Sequence, residues 1–231
     1  LTEDENSELQ AICGKKPPSN RMFGGVEFKI SDWPWPVYLG LNYNVKSGSF
    51  RIVAICSGSL ISRRHVITAR HCFTLPHIPR DRQTVVMYGG TSWNSAPETF
   101  KLVGIRKKIY PSVKEYRHDV AVCEMEHDIE GNNMGFVCLP REKDYLKDDF
   151  EKKARFFGGG RGGNGQTTGD IIKMLTYDLT DDDVIEAVRL KQQFFMAYRK
   201  TRDQHGYAGL GDSGGPLVRK RLSDDRYVLY G

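Results

Sequence analysis

Gly211-Asp212-Ser213-Gly214-Gly215-Pro216 is the stretch on which the reading of the whole chain turns. A nucleophilic serine needs backbone N–H groups aimed at the oxyanion that develops during attack. Glycine beside the serine lets the chain turn sharply and lets a substrate approach the backbone closely. Gly, Asp, Ser and Pro are also turn formers, so the same residues suit an ordinary surface turn. The hexapeptide as a whole favours the catalytic reading, which then requires a base and an acid elsewhere.

Thr68-Ala69-Arg70-His71-Cys72 offers the base. A histidine base has to be held rigidly near its serine, and a neighbouring cysteine can anchor it through a disulfide. Cys56, sixteen residues earlier in Cys56-Ser57-Gly58-Ser59-Leu60, suits that pairing if a strand, a turn and a returning strand lie between. The ordinary alternative is a half-buried histidine with no chemistry, the reading that suits His65, His77 and His127 better. His118-Asp119-Val120-Ala121-Val122 offers the acid: a carboxylate fixes the base's tautomer and steadies its imidazolium. Asp119 opens an apolar strand, an arrangement expected to bury it. An acid at a strand start is also a common turn residue.

Composition sets the bounds. The 231 residues suffice for one large all-β unit or two small domains, and 24 glycines imply many tight turns. No apolar run is long enough to cross a bilayer, Arg51–Ser62 being the most apolar stretch. The residues leave targeting open, with no signal peptide at the start and no Asn-x-Ser/Thr acceptor. The net charge of +5 is uneven: residues 51–120 carry twelve Lys and Arg against four Asp and Glu, and the remainder sums to −3. A basic middle attracts anionic polymers or acidic substrates, but no aromatic residues interleave with the charge, so a solvated face is the simpler reading and nucleic acid is not expected. Five cysteines (Cys13, Cys56, Cys72, Cys123 and Cys138) leave at least one unpaired within the chain. None forms a CxxC pair or has zinc-ligand histidine spacing, so no metal and no cofactor are expected.

Along the chain, residues 1–20 are polar and read as an irregular arm or propeptide. Short runs rich in Val, Ile, Phe and Tyr, bounded by turn residues, predict strands at 51–57, 64–68, 84–88, 99–109, 119–125, 153–157, 171–178, 216–219 and 226–230. Many short strands with few helices point to a barrel or a sandwich. One helix is expected where Thr180 caps Asp181-Asp182-Asp183-Val184. The Gly-rich segment 158–169 reads as a loop, not a phosphate cradle, because no Lys-Ser/Thr follows it.

Together these segments resemble the chymotrypsin-like (trypsin-like) serine peptidases, whose triad order is His…Asp…Ser. Further matches are Arg21-Met22-Phe23-Gly24-Gly25 at the activation site, Trp35-Pro36-Val37 and Cys56–Ile61 in the first strands, Val137-Cys138-Leu139-Pro140 in the connector, and Phe157-Gly158-Gly159-Gly160 where the family has Gly-Trp-Gly. The variant wording of the His71 and Asp119 motifs is similar to divergent nematode members. The resemblance implies an all-β fold of two antiparallel six-stranded β-barrels with the active site between them. It implies an arm over 1–21 and a peptidase domain over 22–231, with the first barrel at about 30–130, the connector at about 131–150 and the second barrel at about 151–231.

By the same resemblance His71 is the general base, Asp119 its orienter and Ser213 the nucleophile, with the N–H groups of Gly211 and Ser213 as the oxyanion hole. Cleavage between Arg21 and Met22 would free an amine to pair with Asp212. Cys13–Cys138 would tether the arm, Cys56–Cys72 would brace the His71 loop, and Cys123 would stay free in the core. The implied activity is a secreted, monomeric serine endopeptidase made as a zymogen. It would act on protein or peptide substrates and meet an activating protease and an inhibitor.

Four departures bear on that activity. Gly209 and Arg219 stand where the family has cysteines, so the second barrel lacks its usual disulfides. Tyr207 occupies the base of the primary specificity pocket, where trypsin-like members carry an aspartate, so cleavage after Lys or Arg is not expected. The sequence stops at Tyr230-Gly231, whereas the family continues with a substrate-pairing strand, more pocket wall and a helix. A second barrel truncated there is expected to expose a sheet edge. The competing reading is a non-catalytic homologue that binds a partner through the same cleft.

Overall fold

A computed structural model describes residues 3–15, 30, 32–44, 50–74, 79, 82–90, 100–111, 118–131, 134–141, 144, 149–160, 173–178 and 211–231. The expected helix after Thr180, most of the Gly-rich segment, and Arg21, Met22, Tyr207 and Gly209 lie outside these residues. Ten strands and two short helices make up the described elements: α1 (Glu3–Ile12), β1 (Pro36–Asn44), β2 (Phe50–Leu60), β3 (His65–Thr68), α2 (His71–Thr74), β4 (Gln83–Tyr88), β5 (Lys101–Ile109), β6 (Ala121–Met125), β7 (Phe150–Gly158), β8 (Lys173–Asp178), β9 (Leu217–Arg221) and β10 (Tyr227–Leu229).

The first six strands close into an antiparallel barrel in the order β1-β2-β3-β6-β5-β4, and the last four form an antiparallel sheet in the order β10-β9-β7-β8. Alternation in the sequence explains the inward faces: Ala121, Cys123 and Met125 of β6 are buried while Val122 and Glu124 between them are partly exposed. Closure requires local bending, and the β1–β2 and β5–β6 registers shift at Leu39/Gly40 and at Ile105/Lys107.

A continuous apolar core joins the barrel to the second sheet. Trp33 sits at the junction, its ring centroid 5.6 Å from Trp35, 5.0 Å from Phe157 and 4.7 Å from Tyr227. Such ring pairs add about 0.5–1.5 kcal/mol each beyond the area they bury. Arg155 lies over the Trp33 and Tyr227 rings and is held by Glu151 at 2.8 Å. Cys123 is fully buried, and burial pushes its thiol up to about 12, against the pull of the Lys108 charge.

One expectation needs correction. The first residues of the arm are a helix, α1, not an irregular segment. Its C-terminal carbonyls are covered by Arg226, whose guanidinium donates to the carbonyl of Gln10 and, at 3.2 Å, to that of Ala11. Cys13 is bonded to Cys138. Among the described residues the second sheet stays open at β8, which pairs only with β7. β10 is its last strand in order, but its outer side is paired: Cys138 N–H donates to the Tyr227 carbonyl at 3.1 Å, Leu229 N–H to the Cys138 carbonyl at 2.8 Å, and Tyr227 N–H to the Gly14 carbonyl at 2.9 Å.

Where the family's cysteine is replaced, Arg219 is buried, its guanidinium 5.2 Å from the Phe150 ring and 4.8 Å from the Tyr230 ring, donating to the Glu151 carbonyl. Part of the basic middle is neutralised locally, since Glu124 faces both Arg64 and Arg106.

Candidate active site

β3 and β6 pair in antiparallel register, Thr68 opposite Ala121, so the residues just beyond Thr68 and just before Ala121 meet at the same mouth of the barrel. His71 opens α2 there, and Asp119 lies two residues before β6. The Asp119 carboxylate grips His71 twice: the His71 backbone N–H donates to Oδ1 at 2.8 Å, and Nδ1 lies 2.6 Å from Oδ2. With the carboxylate ionised and the imidazole neutral, Nδ1 carries the hydrogen and the lone pair is left on Nε2, the state a general base needs. Cys72, next to His71, is bonded to Cys56 of β2 and fixes α2 from its other side.

The expected burial of Asp119 is not found. Its side chain is 38% exposed, and that of His71 is 35% exposed. The residue precedes the strand instead of lying within it, and it faces a groove of about 660 Å³ walled by His118, Val120, Leu139, Gly214 and Tyr230.

The hexapeptide lies against the same barrel. The Ser213 carbonyl accepts the Ser57 N–H of β2 at 2.8 Å, and the Cys72 sulfur is 3.8 Å from that carbonyl. Ser213 is thus brought to the segment that carries His71. Gly211 has φ +98° and Gly214 φ +78°, and Gly215 N–H donates to the Asp212 carbonyl at 2.9 Å, closing the turn. Gly214 has no alternative: a β-carbon there would strike the Thr68 hydroxyl, quite apart from the positive φ. One Asp212 carboxylate oxygen accepts the Gly160 N–H at 2.6 Å.

Two residues passed over in the sequence take part. Ser57, buried in β2, donates its hydroxyl to the Gly211 carbonyl at 3.0 Å and accepts the Gly159 N–H at 3.0 Å. Thr68 donates its hydroxyl to the Ser57 carbonyl at 2.8 Å. Cys56, His71 and Cys72 also bring potential metal-ligand atoms within 4.8 Å of one another, but the two sulfurs share a disulfide and supply no thiolate.

The geometry agrees with what comparison with known proteins shows. The Trypsin family model matches residues 22–228. Chymotrypsin-C of Rattus norvegicus is 30% identical over 221 residues, covering 90% of this chain and 77% of its own length. Human transmembrane protease serine 5 is 25% identical over 220 residues, covering 89% of this chain and 44% of its own. The proclotting enzyme of Tachypleus tridentatus is 24% identical over 239 residues, 96% of this chain and 61% of its own. The chain thus spans less than two thirds of the latter two. With the barrel, the second sheet and a match over nearly the whole length, this chain belongs to the trypsin/chymotrypsin-like family of serine peptidases.

Proposed function

We propose that the protein is a secreted serine endopeptidase, made as a zymogen, that uses His71, Asp119 and Ser213. The observation that carries this reading is the double grip of Asp119 on His71, on the same barrel face to which the Ser213 loop is tied. In the proposed reaction the Ser213 hydroxyl attacks the scissile carbonyl carbon while His71 Nε2 takes its proton. The carbonyl oxygen becomes an oxyanion, stabilised by the N–H groups of Gly211 and Ser213. Collapse expels the amine, which receives the proton from His71, and leaves an acyl-enzyme. Water, deprotonated by His71, then attacks the ester carbon, and the acid leaves as His71 returns the proton to the Ser213 oxygen.

For activation, cleavage after Arg21 by another protease would free the Met22 amine to pair with Asp212. The ammonium form is required, so the ordered state is lost as pH rises through that amine's pKa in the folded protein. Tyr207, which the family resemblance assigns to the base of the specificity pocket, argues against cleavage after Lys or Arg. Two disulfides and the absence, among the described residues, of a helix able to span a membrane suit a secreted protein. We take it to act as a monomer, open to an inhibitor at the same cleft, with the arm at 1–21 held to the peptidase domain.

A second reading, a non-catalytic homologue that binds a partner through the cleft, is favoured by the exposure of Asp119 beside an open groove. Water around that carboxylate weakens its hold on an imidazolium. A fluorophosphonate serine-hydrolase probe separates the two. Labelling of Ser213 after cleavage at Arg21, abolished in His71→Ala, supports the peptidase. No labelling of the cleaved protein leaves the binder standing.

A further inference from the structure

We propose that Ser57 is a positioning residue for the oxyanion loop, an inference that rests on reading Ser213 as the nucleophile. Ser57 is 2% exposed and lies in β2 next to Cys56, whose disulfide partner Cys72 adjoins His71. Its N–H, carbonyl and hydroxyl make four hydrogen bonds to three segments. The N–H donates to the Ser213 carbonyl at 2.8 Å, and the carbonyl accepts the Thr68 hydroxyl at 2.8 Å. The hydroxyl donates to the Gly211 carbonyl at 3.0 Å and accepts the Gly159 N–H at 3.0 Å.

A hydroxyl has one proton and two lone pairs, so giving that proton to Gly211 while receiving Gly159 fixes its rotation. The bond to Gly211 fixes the plane of the peptide that follows Gly211. The backbone bond to Ser213 fixes the plane that follows Ser213. The oxyanion donors are the N–H groups of these same two residues. Ser57 touches neither donor and no reacting atom, yet it holds the carbonyls on either side of Asp212. Oxyanion stabilisation depends on donors that need no rearrangement as charge develops, so loosening the loop weakens the transition state more than substrate binding. Because Ser57 belongs to the first barrel, it also ties the oxyanion loop to the segment that carries the base.

Ser57→Ala and Ser57→Gly are both smaller than serine and introduce no clash. Each should accelerate hydrogen–deuterium exchange across residues 211–215 about tenfold, with the barrel strands unchanged. In the cleaved full chain, kcat for a peptide amide should fall by roughly 10- to 100-fold with KM within about twofold. Affinity for a peptidyl trifluoromethyl ketone, which presents an oxyanion, should fall in step with kcat/KM. Unchanged exchange across 211–215 in both variants overturns the proposal, and so does a loss confined to KM. Exchange is read whether or not the protein turns over substrate. A wild-type protein that fails to label therefore sinks the peptidase reading alone, and the exchange result still decides on Ser57.

Discussion

Arg221 and Asp144 stand 77 residues apart in the chain and meet as a buried pair, the guanidinium Nη1 lying 3.1 and 3.0 Å from the two carboxylate oxygens. Their side chains are only 4% and 5% exposed. Arg141 and Asp224 complete the cluster, Arg141 on Asp144 and Asp224 on Arg221 at 2.7 Å. The pair clips the segment between the barrel and β7 onto β9.

Asp144→Ala leaves Arg221 Nη1 without its buried acceptor while Asp224 still holds Nε and Nη2. The substitution should destabilise the protein by about 1–3 kcal/mol, measured by urea denaturation. Replacing the exposed Asp225, held only by Lys220 at the surface, should change stability by less than about 1 kcal/mol. Equal losses from the two substitutions would show that burial is not what makes the Arg221 pair matter.

The same cluster sets a pH dependence. Burial pushes the Asp144 carboxyl up, but hydrogen bonds from Arg141 and the charges of Arg221 and Arg141 outweigh it and hold the carboxyl below its usual range. Asp224 is lowered mainly by its hydrogen bond from Arg221. Both carboxyls have folded pKa values below the unfolded ones, so their contribution is complete above the ordinary carboxylate range, about 4, and disappears as pH falls through the folded values. Stability of the wild type should therefore drop more steeply below about pH 4 than that of a double variant Asp144→Asn, Asp224→Asn. Parallel curves would rule out this assignment.

Asp119→Asn should leave the fold intact. The amide oxygen can still accept the His71 backbone N–H, but its NH₂ faces Nδ1 and favours the wrong tautomer. Activity should fall by roughly 10³- to 10⁴-fold with the melting temperature little changed. Activity within tenfold of wild type would mean that Asp119 does not orient the base.

Gly214→Ala should cost at least about 2 kcal/mol and abolish probe labelling, because φ +78° and the Thr68 hydroxyl both oppose a methyl group. Thermal melting and labelling report the two effects separately. A stable, labelled variant would show that the turn can relax without losing its shape.

Native Cys123 should resist iodoacetamide at pH 8 and react only after unfolding, because burial keeps the thiol protonated to about 12. Mass spectrometry of the alkylated protein gives the answer, and rapid native modification would contradict the burial.

The strands were legible because their residues carry local signals. The apolar runs of β2 to β10 lie between turn residues, and each strand found is within a few residues of its expected place. β1 was harder to read, since Pro36 starts it and Gly40, Asn42 and Asn44 interrupt its apolar pattern. The sequence of α1 reads as irregular because Glu3–Ile12 is too short and too polar to form a helix alone, and Arg226 and Cys138, which hold it, come from far along the chain. His71, Asp119 and Ser213 stand in motifs that a sequence displays whole. Ser57 does not: a serine in a strand says nothing until Gly211 and Gly159 are seen on either side of its hydroxyl. The burial expected for Asp119 failed because strand pairing starts two residues later than the apolar run suggests.

Gly159 and Tyr38 carry a last implication. A β-carbon on Gly159 would fall inside the ring of Tyr38, a fully buried side chain of β1. The two positions therefore share one space, filled here from the barrel side and left empty on the loop that follows β7. A side chain at 159 therefore requires a smaller residue at 38. A bulky residue at 159 alone should jam the joint between the halves, and trimming Tyr38 to alanine in the same chain should free it.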